Sequence, residues 1–278
     1  MQPMAQVFIG SEALAAGRVT KYDLRAHYQR VLPDVYTAKR APSLRDRTMA
    51  TWLWSGRQGV ISGAAASALH GAKWVDDNAV IEVNWPGRKS PAGVQISRDT
   101  LFDAEITSRH GVAVTSIERT AFDLARHGPT AKAVQRLDAL AAATDFRVGD
   151  VLAVADSHPH VKGLRRVPEL LDLVDAGAQS PRETWLRLLL MDAGFPRPKT
   201  QIPVLRADGY SHYFLDMGWP DVMVAVEYDG EQHRLDRETY GGDVIRSEYI
   251  TQVGWRRVRV LAGHRKYDIL RRVHEAWR

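Results

Sequence analysis

The stretch HYFLDMGWPDVMVAVEYDG (residues 212–230) decides the reading of this chain. It is two apolar runs around a proline, which predicts a hairpin turning at Pro220–Met223. Strand side chains alternate between faces with a period of two. Tyr213, Leu215 and Met217 should then share a face with Val224, Val226 and Tyr228. The other face would carry His212, Asp216, Glu227 and Asp229, with Asp216 opposite Glu227. Like charges directly across a sheet repel. A divalent cation removes the conflict, because magnesium takes one or two carboxylates together with waters and phosphate oxygens. Such an ion can activate water and stabilise the leaving oxygen of a phosphodiester. Magnesium or manganese is therefore the expected cofactor, with Asp216 and Glu227 as its ligands. Glu183, on a preceding helix, could supply a third carboxylate. Any one of these acids alone is more often an edge residue. Taken together, and with His233 close behind, they point to chemistry.

Around this hairpin the last hundred residues form a compact pattern. Ser180 and Glu183 make a capping box, with Pro181 at the first helical position. The helix ETWLRLLLMDAG ends at Gly194. KTQIPVL is a further extended run, then a long polar helix follows the hairpin over 234–252. A strand, WRRVRVL, and a basic helix, 266–277, close the chain. The small, polar segment DAGAQSPRE (175–183) marks the boundary before this unit.

The N-terminal part has another rhythm. Residues 4–16 read as a helix ended by Gly17. Thr20 and Asp23 form a capping box that opens a second helix through Tyr28. VLPDVYTA (31–38) reads as extended, turning at Pro33-Asp34. Helix, turn, helix and hairpin is the order of a winged helix. Its second helix carries Lys21 and Arg25, with Arg18 just before it, and these are the expected phosphate contacts. Arg256, Arg257 and Arg259 are the next candidates. Ser43 with Asp46 opens a helix through Trp54, and Ser62 should cap another. Short strands at 79–85, 94–97 and 111–116 and helices at 117–127 and 130–143 follow, with two more helices between 149 and 176. His70, Trp52, Trp54 and Trp74 read as core. The expected class is α+β: a winged helix over 1–60, a mixed α/β domain over 61–177 and an α/β domain over 178–278.

Composition sets the outer limits. The chain has 278 residues and no cysteine, which excludes disulfides, thiolate catalysis and cysteine-based metal sites. No apolar run approaches 18 residues, and the start lacks the pattern of a signal peptide. A cytoplasmic protein with no membrane partner is expected. The net charge is +5. Residues 1–60 alone hold nine basic and four acidic side chains, so the winged-helix segment carries a surplus equal to that of the whole chain. That footprint suits a polyanion.

SPRE, FLDMGWPDVMVAVEYDGEQH and GGDVIRSEYITQVGWRRVRV together resemble the restriction-endonuclease-like domain of very-short-patch-repair endonucleases, within the PD-(D/E)XK nuclease class. The resemblance covers about residues 178–278. It implies a metal-dependent endonuclease with Glu183, Asp216, Glu227, Asp229 and His233 at the catalytic centre. Asp243 and Arg246 would lie on the next helix, with Arg246 toward DNA. The class has a lysine where this chain has Asp229, so His233 or Gln232 would take over that role. The structural zinc of the repair enzymes is not expected without cysteine. GRVTKYDLRAHYQRVLPDVYTA, VISGAAASALHGA and GVAVTSIERTAFDLA resemble AbiEi-type antitoxins, which pair a winged helix with a mixed domain. That likeness implies a DNA-binding repressor, with a toxin partner and a homo-oligomer as further expectations. The two resemblances give two functions: a DNA endonuclease, or a regulator with an inactive nuclease fold.

Overall fold

The computed structural model describes residues 7–87, 89–229 and 237–278, with the side chains of 237–244 also outside the description. Gln232 and His233 lie outside the described residues, as does the side chain of Asp243. The fold is α+β, and the chain divides into two compact units, Met1–Val174 and Asp175–Arg278. No helix among the described residues is long and apolar enough to cross a membrane.

The first unit begins with β1 (Val7–Ile9), α1 (Gly10–Ala15), α2 (Lys21–His27), β2 (Tyr28–Leu32), β3 (Val35–Ala38) and α3 (Leu44–Trp54). The three strands form an antiparallel sheet in the order β1-β3-β2. Residues 7–9 are therefore a strand, where a helix was expected over 4–16. The β-branched and aromatic run Val-Phe-Ile pairs with Thr37, Tyr36 and Val35, a partner local periodicity does not reveal. The helix starts only at Gly10, whose N–H donates to the Asp34 carbonyl (2.7 Å). The capping boxes at Thr20/Asp23 and Ser43/Asp46 form as expected.

The rest of this unit comprises β4 (Val60–Ser62), α4 (Gly63–Leu69), β5 (Ile81–Asn84), β6 (Val94–Ser97), β7 (Ile106–Arg109), β8 (Val112–Thr115) and helices α5 (Ile117–Arg126), α6 (Thr130–Thr144), α7 (Val148–Ser157) and α8 (Val167–Asp172). Its five strands run β6-β5-β4-β8-β7. Ser62 precedes α4 but makes no side-chain cap. One core joins Val7, Val35, Ala50 and Leu53 to Ile61, Val83 and Val114. Hydrophobic packing thus crosses the expected boundary at residue 60, and β4 straddles it. His70 is buried, as expected, with its Nε2 2.8 Å from the Thr115 carbonyl. Trp52 and Trp54 pack against the core, but Trp74 is 54% exposed rather than buried.

A buried ionic network sits on α5. Arg119 meets Glu105 (2.7 Å) and Asp123 (3.2 Å), and Arg126 meets Asp123 (2.9 Å) and Asp99. His158 Nε2 lies 2.6 Å from Glu105. Both guanidiniums lie against the ring of Phe122.

The second unit runs α9 (Pro181–Asp192), β9 (Lys199–Leu205), β10 (His212–Trp219), β11 (Val224–Asp229), α10 (Arg237–Gln252), β12 (Arg256–Leu261) and α11 (Lys266–Trp277). The sheet order is β12-β11-β10-β9, antiparallel except for the parallel pair β11 and β12. Leu186 and Leu190 of α9 and Ile269 and Val273 of α11 pack with Met217, Val226 and Val260. Ile250 of α10 and Trp255 pack with Ile202, Val204, Leu215 and Ala225.

Candidate functional site

The hairpin of β10 and β11 turns at Pro220–Met223 with Met217 opposite Val226 and Trp219 opposite Val224. The two strands approach closely at Gly218, where a Cβ would fall 2.3 Å from the Val224 carbonyl oxygen. Continuing that register sets Asp216 opposite Glu227, as the sequence suggests. The expected alternation nevertheless fails at Asp216. Leu215 packs with Ile250 under α10, whereas Met217 packs with Leu186 under α9. Residues two apart on a regular strand share a face; these do not. On β9, Leu215 pairs with Ile202 and Met217 with Thr200, which brackets Gln201 opposite Asp216. Gln201 has φ +48, a left-handed backbone that non-glycine residues rarely adopt. Strain of this kind gathers where a structure must aim a side chain.

Past Met217 the paired ladder gives way to a side-chain bond. The Asp216 carboxylate accepts the Tyr228 N–H at 2.8 Å. Its pKa is pushed up to about 7, chiefly by burial, then by the negative charge of Glu183 and to a smaller degree that of Glu227. The Tyr228 N–H and Arg246 act in the opposite sense. Glu183 caps the start of α9, accepting from the Gln179 N–H (2.9 Å) and the Ser180 hydroxyl (2.8 Å). Burial holds its pKa above the ordinary value despite those two donors.

Glu227 and Asp229 have other partners. Arg246 lies 2.5 Å and Arg257 3.1 Å from Glu227, and Arg259 lies 2.6 Å from Asp229. Arg246 also donates to the Phe214 carbonyl (2.8 Å), so this expected DNA contact is turned inward. Arg256 donates to the Val222 carbonyl (2.8 Å). Arg257 and Arg259 of β12 are therefore countercharges, which sequence reasoning missed. Their signal is the spacing Arg257-Val-Arg259, which β12 lays beside Ala225 and Glu227. Among the described residues, no group of three or more His, Cys, Asp or Glu converges as a set of metal ligands. The expected three-carboxylate grouping of Glu183, Asp216 and Glu227 is not formed in that sense.

On the N-terminal unit, Lys21 and Arg25 are exposed on α2 while Leu24 turns into the core. Arg18 is exposed and lines, with Glu12, Arg45 and Arg57, a cavity of about 370 Å³. The hairpin of β2 and β3 is tied back to α1, since the Asp34 carboxylate accepts the Ser11 N–H (3.0 Å) and hydroxyl (2.5 Å).

No protein-family model matches the chain. Two curated proteins of Mycobacterium tuberculosis are similar to it: the uncharacterized protein MT2308 of strain CDC 1551 / Oshkosh and the uncharacterized protein Rv2248 of strain ATCC 25618 / H37Rv. Each is 26% identical over 226 residues, covering 81% of this chain and 82% of its own length. Among solved structures, the crystal structure of the Rv2827c protein from Mycobacterium tuberculosis matches with a TM-score of 0.41 and 15% identity, over 75% of this chain and 86% of that one.

Proposed function

We propose that this is a cytoplasmic DNA-binding protein whose C-terminal unit cleaves phosphodiester bonds with a divalent cation. The observation that carries the proposal is the setting of Asp216. It is a half-buried carboxylate beside two other acids, and it makes no salt bridge among the described residues. A perturbed acid in such surroundings is a candidate functional group. Asp216 and Glu227 are oxygen donors on adjacent strands, which suits magnesium or manganese. When bound, the cation would supply Lewis-acid stabilisation and a more acidic water. Glu183 would add negative charge and orient Asp216. Asp229, paired with Arg259, would orient its neighbours from the position the nuclease class gives to lysine. Arg246 would supply the positive charge that lysine brings there. His233 would accept or donate the proton, for which an ordinary histidine pKa is suited. Lys21 and Arg25, with Arg18, would hold DNA phosphates.

The test is incubation of the full chain with plasmid and oligonucleotide DNA, with and without Mg²⁺ or Mn²⁺. Cleavage that needs the metal, is lost in Asp216→Asn and is slowed in His233→Ala supports the proposal. Tight DNA binding without cleavage on single-stranded, duplex and mismatched substrates overturns it.

A second reading has its own observation. Glu227 and Asp229 are already neutralised by arginines, so this sheet needs no metal to stand. The protein would then be an AbiEi-like repressor with an inactive nuclease fold, working with a toxin partner or as a homo-oligomer.

A further inference from the structure

The edge of the three-stranded sheet borders a cavity. β1 is an outer strand, paired among the described residues with β3 alone. Its side chains alternate between faces. Phe8 packs with Val19 and Leu24, whereas Val7 and Ile9 belong to the core that contains Leu53. On α3, Arg45, Met49 and Leu53 recur every four residues and so share one helix face. These residues and β1 line the cavity of about 370 Å³, a size that suits a small-molecule ligand. Val7, Met49 and Leu53 give it an apolar floor, and Arg18, Arg45 and Arg57 stand around it with Glu12 and Asp46.

The charges of this rim do not cancel, because both carboxylates are already taken. Glu12 accepts two hydrogen bonds from Arg57, each 2.7 Å, a clamp that ties α1 to the end of α3. Asp46 caps α3 from its first turn and meets Arg40 at 2.7 Å. Arg18 acts on Glu12 only through its charge, and Arg45 makes no hydrogen bond or ion pair among the described residues. Residues 1–6, MQPMAQ, contain no acid that could balance them. Two exposed guanidiniums beside an apolar floor suit an anion with an apolar body. A carboxylate matches the planar fork of a guanidinium, and an apolar body removes the floor from water.

We infer that this cavity binds a small amphipathic anion, a carboxylate on a flat apolar body, and that the bound anion withdraws Arg18 from DNA. The site stands on the cavity and its charges; only its effect on DNA rests on the proposed role of Arg18. That effect makes the N-terminal unit a ligand-sensitive DNA-binding module. Arg45 has no part in the proposed DNA contact, so it separates the two roles.

The experiment titrates the full chain by calorimetry with 2-naphthoate and with 2-naphthamide, its uncharged counterpart. Naphthoate should bind about tenfold more tightly than the amide. Arg45→Gln should remove that preference and leave amide binding and the melting temperature unchanged. Met49→Trp should fill the floor and weaken both ligands. Fluorescence anisotropy of a labelled duplex gives the second readout. Saturating naphthoate should make the salt dependence of wild-type binding shallower by about one unit of slope and leave that of Arg45→Gln unchanged. Equal affinity for acid and amide, or for the acid in wild type and Arg45→Gln, overturns the inference. So does inorganic phosphate that displaces naphthoate at equal concentration, which would leave an oxyanion site with no use for the floor. A wild-type salt slope that naphthoate does not move overturns the withdrawal of Arg18. Arg45-dependent naphthoate binding by a chain that binds no duplex would keep this site and remove the DNA-binding proposal.

Discussion

In the N-terminal unit the half-buried Asp99 and the buried Glu105 and Asp123 each meet a guanidinium, whereas in the C-terminal unit Glu183 and Asp216 meet only N–H and O–H donors. Both sets are acids taken out of water, and both lie beside arginines. The first is saturated: Arg119 and Arg126 are shared among three acids, and His158 closes the circuit on Glu105. The second is saturated only at one end, where Glu227 and Asp229 hold Arg246, Arg257 and Arg259. Asp216 is left to exist at neutral pH as a partly protonated acid. A saturated set holds a fold together; a set with two members lacking a countercharge holds them at a cost.

The largest effect should come from unbalancing the saturated set. Arg119→Ala takes a guanidinium from both Glu105 and Asp123, leaving them His158 and Arg126, and should destabilise the N-terminal unit by roughly 3–5 kcal/mol, read by chemical denaturation. An unchanged midpoint would show that the network is not carrying the fold. Asp216→Asn should act in the opposite direction. The folded chain keeps a proton on Asp216 up to about pH 7, while an unfolded aspartate loses it near pH 4, at about 3.9. Folded protein thus binds more protons across that window, and stability falls as pH rises through it. Asparagine has no such proton to lose. Asp216→Asn should therefore gain roughly 2–4 kcal/mol at pH 8, with the gain fading toward pH 4 and cleavage lost throughout. Melting curves against pH would check it, and a pH-independent difference would refute the assignment.

A smaller effect should follow Arg246→Met. It removes one of two guanidiniums from Glu227 and should cost about 1–3 kcal/mol, with Arg257 still in place. If Arg246 instead faced DNA, stability would hold and affinity would drop. The smallest effect on the fold should be Lys21→Ala with Arg25→Ala on the exposed side of α2. Stability should not move, while the salt dependence of duplex binding should become shallower by about one unit of slope per lost contact. An unchanged slope would place the DNA contact elsewhere.

Much of the C-terminal unit is legible without coordinates. KTQIPVL is the whole of β9 and the basic run 266–277 the whole of α11, because alternation and helical spacing are strong over both. The hairpin turn is equally plain, since Pro220 and Gly218 fix it locally. What cannot be read locally depends on partners far along the chain. Val7–Ile9 is a strand because of residues 35–37. Arg257 and Arg259 are countercharges because a crossover through α10 lays β12 parallel to β11. The break at Asp216 is the sharpest case, for it depends on a left-handed Gln201 on the neighbouring strand, and nothing in the residue type announces that conformation. Arg119, Asp123 and Arg126 recur on one helix at spacings of four and three, but their burial follows from Asp99 and Glu105 meeting them from elsewhere.

The core that runs from Val7 through Leu53 to Val114 has a consequence for how such a protein can be taken apart. A fragment ending near residue 60 would carry away one wall of that core and leave Ile61, Val83 and Val114 bare. The helix bearing Lys21 and Arg25 is therefore not a cassette that can be spliced onto another protein. The seam open to recombination lies between Val174 and Asp175, so heritable exchange of the C-terminal unit would keep the whole preceding unit intact.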